Sequence, residues 1–145
     1  MILELAALMA ACGHGLDSQP DIVLITLDTT RADALGAYGH SEHATPTIDS
    51  LAEQGVLFQE AEPVAPFTLP AHSSILTGLY PDRHGVRDND GFVLDPKFAT
   101  LATTLHNAGW QTSAFVSAAV LDDRYGLDAG FDLYDDGFHL AASEA

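Results

Sequence analysis

Cations are scarce in this sequence. Five lysines and arginines stand against 21 aspartates and glutamates, a formal net charge of −16. Nucleic-acid backbones are gripped by clustered Lys and Arg, and five cations cannot build that footprint, so no nucleic acid is expected as a partner. An anionic membrane surface is disfavoured for the same reason. A small anionic ligand stays open, provided that locally placed cations or a metal ion attract it. Cysteine is scarcer still. Cys12 stands alone, which excludes an internal disulfide framework and any cysteine-rich zinc site. There is no internal repeat and no long low-complexity run.

What is present suits a packed globule. The chain is 47% hydrophobic and 18% charged, an apolar content above that of disordered segments, and 145 residues leave room for one domain. Residues 1–20 read as a lipoprotein-type signal and tether. Ile2 to Ala11 is apolar apart from Glu4 and too short to cross a bilayer as a helix. Met9-Ala10-Ala11-Cys12-Gly13 is similar to a bacterial lipoprotein processing site, which would make Cys12 a lipid anchor and the protein exported, periplasmic or membrane-anchored. An ordinary apolar N-terminus or a misplaced start codon accounts for the same residues.

Beyond the tether, Asp21 to Leu27 is a continuous β-branched apolar run, the pattern of a strand buried on both faces. Arg31 to Tyr38 reads as a short helix stopped by Gly39. Thr45 as N-cap and Pro46 as first helical residue open another, which Gly55 ends. Val56-Leu57-Phe58 starts a second strand, Pro70 to Leu76 forms a helix ending near Gly78, and Pro81 to Pro96 is loop. Phe98 to Ala108 carries Leu101 and Leu105 at helical spacing, and Trp110 to Val116 makes a third strand. Alternating strands and helices predict an α/β fold, a mostly parallel sheet flanked by helices.

Ligands of such sheets bind where the strand C-termini open. Asp28, followed by two threonines, is a reasonable hard-cation ligand there; it serves equally as the cap of the following helix. Thr68 lies at a helix start, where unpaired N–H groups and the helix dipole would favour an anionic ester. Its hydroxyl is a candidate nucleophile once a metal lowers its pKa, or simply an N-cap. His72 is placed to carry a proton or touch an anion. A serine-hydrolase reading of His72-Ser73-Ser74 is weaker, because the Gly-x-Ser-x-Gly elbow is absent. Arg83, His84 and Arg87, with Arg31, add positive charge near these segments, either for an anionic ligand or as solvated loop residues. His40 and His43 have a metal-compatible spacing, but exposed loop histidines commonly have no ligand.

Taken in order, these segments resemble the N-terminal part of the sulfatase family, within the alkaline phosphatase superfamily. The resemblance rests on Asp21 to Asp33, Thr45 to Phe58, Thr68 to Gly78, Pro81 to Val86, and Gly109 to Thr112 with Gly130 to Asp132. It implies an alkaline-phosphatase-like α/β domain over residues 21–145, incomplete at the C-terminus, and a metal-dependent hydrolase of sulfate esters or phosphate mono- and diesters. By position, Asp28 resembles the family's first metal-binding carboxylate, and Thr68 resembles both a metal ligand and the nucleophile. Apart from the resemblance, the residues themselves make His72 the candidate catalytic proton carrier and Arg87 the candidate substrate contact. Sulfatases carry at the Thr68 position a cysteine or serine that is oxidised to formylglycine. Threonine cannot follow that route, whereas phosphodiesterase relatives use an unmodified threonine. The implied metal is Ca²⁺, or Zn²⁺, Mn²⁺ or Mg²⁺ in a phosphodiesterase-like site. His72 stands where the sulfatase signature has arginine, and Thr29 where a second aspartate is usual. The alternative is a non-catalytic truncated fragment, inactive without the C-terminal metal ligands.

Overall fold

The computed structural model describes residues 20–41 and 45–137. The chain divides into two compact units, Met1–Thr30 and Arg31–Ala145. In the first, Asp21 to Leu27 forms no strand among the described residues, and Ile22, Val23, Leu24, Ile25 and Leu27 are exposed. This corrects the expected buried strand. β-Branched residues suit a pleated, covered surface, but a strand exists only through a ladder partner. The Thr30 N–H reaches the Leu27 carbonyl (3.3 Å) to close a turn at Asp28-Thr29.

The second unit opens with 3₁₀ turns at Ala32–Ala34 and Gly36–Tyr38 in place of the expected short helix, with Gly39 left-handed after them. Helix α1 (Pro46–Gln54) starts on Pro46 and ends at Gly55, as the sequence predicts. Thr45 precedes it without capping it. Its hydroxyl accepts the Gly36 N–H (2.9 Å) and donates to Asp49 Oδ1 (2.9 Å), which also takes the Ala37 N–H (2.7 Å). The pairing ties α1 to the preceding turn and leaves no room at Gly36, where a Cβ would lie 2.3 Å from Asp49 Oδ2.

Val56 to Phe58 is not a strand, and Val56 and Phe58 are exposed; like Asp21 to Leu27, this run has no ladder partner among the described residues. Helix α2 (Thr68–Thr77) begins two residues before the expected Pro70 and stops at left-handed Gly78. Helix α3 (Pro81–His84) lies inside the segment expected to be loop, bracketed by Pro81 in its first turn and left-handed Gly85. Helix α4 (Leu101–Asn107) is capped by Thr100, whose hydroxyl accepts the Thr103 N–H (3.0 Å).

Strand β1 (Ser113–Phe115) pairs in parallel with β2 (Leu133–Asp135), in the register Ser113–Leu133, Ala114–Tyr134, Phe115–Asp135. The parallel α/β architecture thus agrees with the sequence, although β2 is a strand the pattern does not announce. Leu69, Val86, Leu94, Leu121 and Leu127 are buried together at the centre, with Leu76, Phe98, Val116 and Tyr134 packed against them. Leu69, the second residue of α2, is wholly buried. Removing its side chain would cost about 2–5 kcal/mol, so the first turn of α2 is fixed from beneath.

Candidate functional site

That first turn carries Thr68. Phe67 occupies the N-cap position and Thr68 is the first helical residue, half-buried, so the N-cap alternative for Thr68 does not hold. The expected nest of N–H donors is also corrected. The Leu69 N–H donates to Asn89 Oδ1 (2.9 Å) and Pro70 has no N–H. Two of the first three positions therefore have no donor to offer a ligand. The half-buried His72 lies one turn along. Its Nδ1 is 2.8 Å from the Thr68 carbonyl oxygen. A carbonyl only accepts, so Nδ1 carries the proton and Nε2 is the nitrogen able to exchange one.

Ser74 and His84 form the serine–histidine contact in this region, and its polarity is wrong for nucleophilic catalysis. The Val86 N–H donates to His84 Nδ1 (3.1 Å), so Nε2 bears the proton and donates to Ser74 Oγ (2.9 Å). Both side chains are buried, and burial pushes the His84 pKa below its ordinary value, with Asp82 opposing. His84 is a neutral tie between α2 and α3 and leaves the group of charges expected around the site. Ser73 is likewise buried and donates to the Leu69 carbonyl (2.8 Å).

Arg31 is held by Asp33, Lys97 by Asp95 and Arg124 by Asp122. Arg83 and Arg87 make no ion pair among the described residues and are exposed. Arg87 lies two residues before Asn89, which binds the start of the helix carrying Thr68 and His72. The structure therefore brings Thr68, His72 and the Arg87 segment into one unit. Asp28 belongs to the other unit. Its carboxylate is exposed, and Oδ1 accepts the N–H of Thr29 (3.0 Å), a β-branched residue at φ 57°. Cys12 and His43 lie outside the described residues.

Sequence reasoning missed Asn89. The signal was available, because a helix with proline in its first turn still needs an acceptor for the preceding N–H. It also missed Asp122, Asp123 and Asp136, whose ligand-capable oxygens lie within 4.8 Å of one another.

Parallel strands and flanking helices define an α/β protein, with a hydroxyl, an imidazole and a guanidinium on adjoining segments. The sequence profile of the Sulfatase family matches residues 20–139, and the chain belongs to that family. It is 34% identical over 107 residues to an arylsulfatase of Clostridium perfringens, covering 73% of this chain and 22% of that protein. To an N-acetylgalactosamine-6-O-sulfatase of Bacteroides thetaiotaomicron it is 34% identical over 117 residues, covering 73% of this chain and 23% of that protein. The crystal structure of the phosphonate monoester hydrolase of Agrobacterium radiobacter superposes with a TM-score of 0.60 at 30% identity, covering 71% of this chain and 23% of that one. The chain thus spans less than a quarter of the length of these relatives. Among the described residues no helix is long and apolar enough to cross a membrane.

Proposed function

We propose that this chain is the nucleophile-bearing part of a metal-dependent hydrolase of small anionic sulfate or phosphate esters, with Thr68 as nucleophile. The observation that carries the reading is the pairing of Thr68 and His72 on one turn of a core-anchored helix, in a chain of the sulfatase family. Thr68 Oγ attacks the sulfur or phosphorus in line, forming an Oγ–S or Oγ–P bond as the bond to the leaving oxygen breaks. His72 Nε2, the unprotonated ring nitrogen, takes the proton of the Thr68 hydroxyl and passes it to the leaving oxygen. Water then attacks the same centre, the Thr68 ester opens, and the acid and the free hydroxyl are regenerated. Arg87, which like Arg83 makes no ion pair among the described residues, contacts the anion, which matters in a chain of net charge −16.

By chemistry, the Asp28 carboxylate and the Thr68 hydroxyl are each the kind of hard oxygen donor that Ca²⁺ or Mg²⁺ takes, or Mn²⁺ or Zn²⁺ in a phosphodiesterase-like site. When bound, such an ion lowers the pKa of the nucleophile and neutralises developing charge. Because residue 68 is threonine, the reading includes no formylglycine. The arylsulfatase relative supports sulfate esters and the phosphonate monoester hydrolase supports phospho esters. Export with a lipid anchor at Cys12 belongs to the same proposal.

A second reading, a non-catalytic piece of such an enzyme, is favoured by one observation: the chain spans less than a quarter of its relatives. Two donors also fall short of the roughly six oxygens a hard cation takes. The two readings part in an assay of the purified chain against aryl sulfates and aryl phosphodiesters with each metal added. The catalytic reading expects metal-dependent turnover lost in Thr68→Ala and reduced in Asp28→Asn. Turnover unchanged in Asp28→Asn would refute the metal assignment, and no turnover with any metal supports the second reading.

A further inference from the structure

The segment following α3 is fastened to α2 at two points. His84 Nε2–H donates to Ser74 Oγ (2.9 Å) at one end, and at the other Asn89 Oδ1 accepts the Leu69 N–H (2.9 Å). Between them Val86 is wholly buried in the same cluster as Leu69, and its N–H rests on His84 Nδ1 (3.1 Å). His84 is 3% exposed; the Val86 N–H at Nδ1 requires an acceptor there and so fixes the neutral Nε2–H tautomer, whose proton the Ser74 hydroxyl accepts.

We propose that His84 is an acid-sensitive latch: neutral, it holds residues 85–89 on α2, and protonation releases them. A proton on Nδ1 turns it from acceptor to donor against the Val86 N–H, so two donors then face each other. The new charge also sits in a buried site whose partners are a hydroxyl and a backbone amide. Val86 then loses its acceptor, and the chain running from it to Asn89 loses the tie that keeps the Asn89 carboxamide on Leu69.

The titratable and charged side chains on the neighbouring elements are few. α2 carries His72, α3 Asp82 and Arg83, the released segment Arg87 and Asp88, and α4 His106. Of these, Asp82 opposes the effect of burial on His84. Acid would accordingly open the Arg87 segment whether or not Thr68 is a nucleophile.

The test is amide hydrogen exchange and ¹⁵N spectroscopy of the full chain, from neutral pH to well below the ordinary histidine value of about 6.5. The neutral Nε2–H tautomer should appear in the His84 ring signals. Protection factors at Val86 and Leu69 should fall together, by up to about tenfold per pH unit below 6.5, while those of Thr103 and Thr112 hold. Asp82→Asn should move the midpoint further down. His84→Asn offers the Val86 N–H a non-titrating acceptor and should abolish the pH dependence; if that variant does not fold, the wild-type profile decides alone. Constant protection at Leu69 across the titration overturns the proposal. So does an equal loss at Thr103 and Thr112, which would make the transition global unfolding, or the same acid response in His84→Asn.

Discussion

Replacing Gly130 with alanine tests the junction between the approach to β2 and the start of α4. Gly130 has φ 92°, and a Cβ built there would lie 2.2 Å from the Thr103 nitrogen and 2.4 Å from its Cα. The left-handed conformation alone costs a non-glycine residue about 1–2 kcal/mol. Relieving the overlap requires the first turn of α4 to move by roughly an ångström, since ordinary carbon contacts begin near 3.5 Å. The bonds in the way are those from the Thr100 and Thr103 hydroxyls to the Ala129 carbonyl (2.7 and 3.2 Å) and from the Thr112 hydroxyl to the Gly130 carbonyl (2.7 Å). At about 1 kcal/mol each, the loss of two brings the total to roughly 3–4 kcal/mol. Urea unfolding followed by far-ultraviolet circular dichroism should show the midpoint falling by on the order of 2 M, for a slope of about 1–3 kcal/mol per molar. A fall of less than about 0.5 M, equivalent to at most about 1.5 kcal/mol on that slope, would show that Gly130 is not the close approach described.

Three further outcomes are expected. Asp49→Ala strips the acceptor from the Ala37 N–H and the Thr45 hydroxyl and should destabilise by about 1–3 kcal/mol, read as a lower urea midpoint; Asp49→Asn, which keeps the acceptor oxygen, should lose less. The Tyr134 hydroxyl donates to the Leu121 carbonyl (2.5 Å), and burial, with the field of Asp128, Asp136, Asp122 and Asp123, pushes its pKa up to about 12. The folded state thus favours the neutral phenol, whose contribution is complete below pH 10 and lost as pH rises towards 12. Partial exposure and solvent screening reduce it to the order of 1 kcal/mol, and Tyr134→Phe should flatten the stability profile in that window. Asn89→Ala removes the acceptor at the start of α2 and should cost about 1 kcal/mol, whereas Asn89→Asp, still an acceptor, should retain most of the stability.

Local signals carried what the sequence revealed of this fold. Pro46 and Gly55 mark α1, Gly78 ends α2, and Gly109 stands just past α4, because proline and glycine act on their own few dihedrals. Strands depend on partners far along the chain. Asp21 to Leu27 and Val56 to Phe58 have the composition of strands and form none among the described residues, whereas the three-residue β2 is set by its ladder with β1. Thr68 and His72, close in sequence, fall one turn apart on α2. The occupation of the Leu69 N–H by Asn89, twenty residues away, and the turning of His84 from a surface cation into a buried neutral tie are tertiary facts that no local pattern contains.

The central claim is that Thr68 becomes covalently esterified. The direct measurement is acid quench of the full chain reacting with an aryl sulfate or aryl phosphodiester and a divalent metal, followed by intact mass and peptide mapping. A sulfo or phosphoryl group on Thr68, absent from Thr68→Ala and dependent on the metal, is the predicted result. Turnover that persists in Thr68→Ala, an ester mapped to another residue, or no ester with any of the metals would contradict the claim.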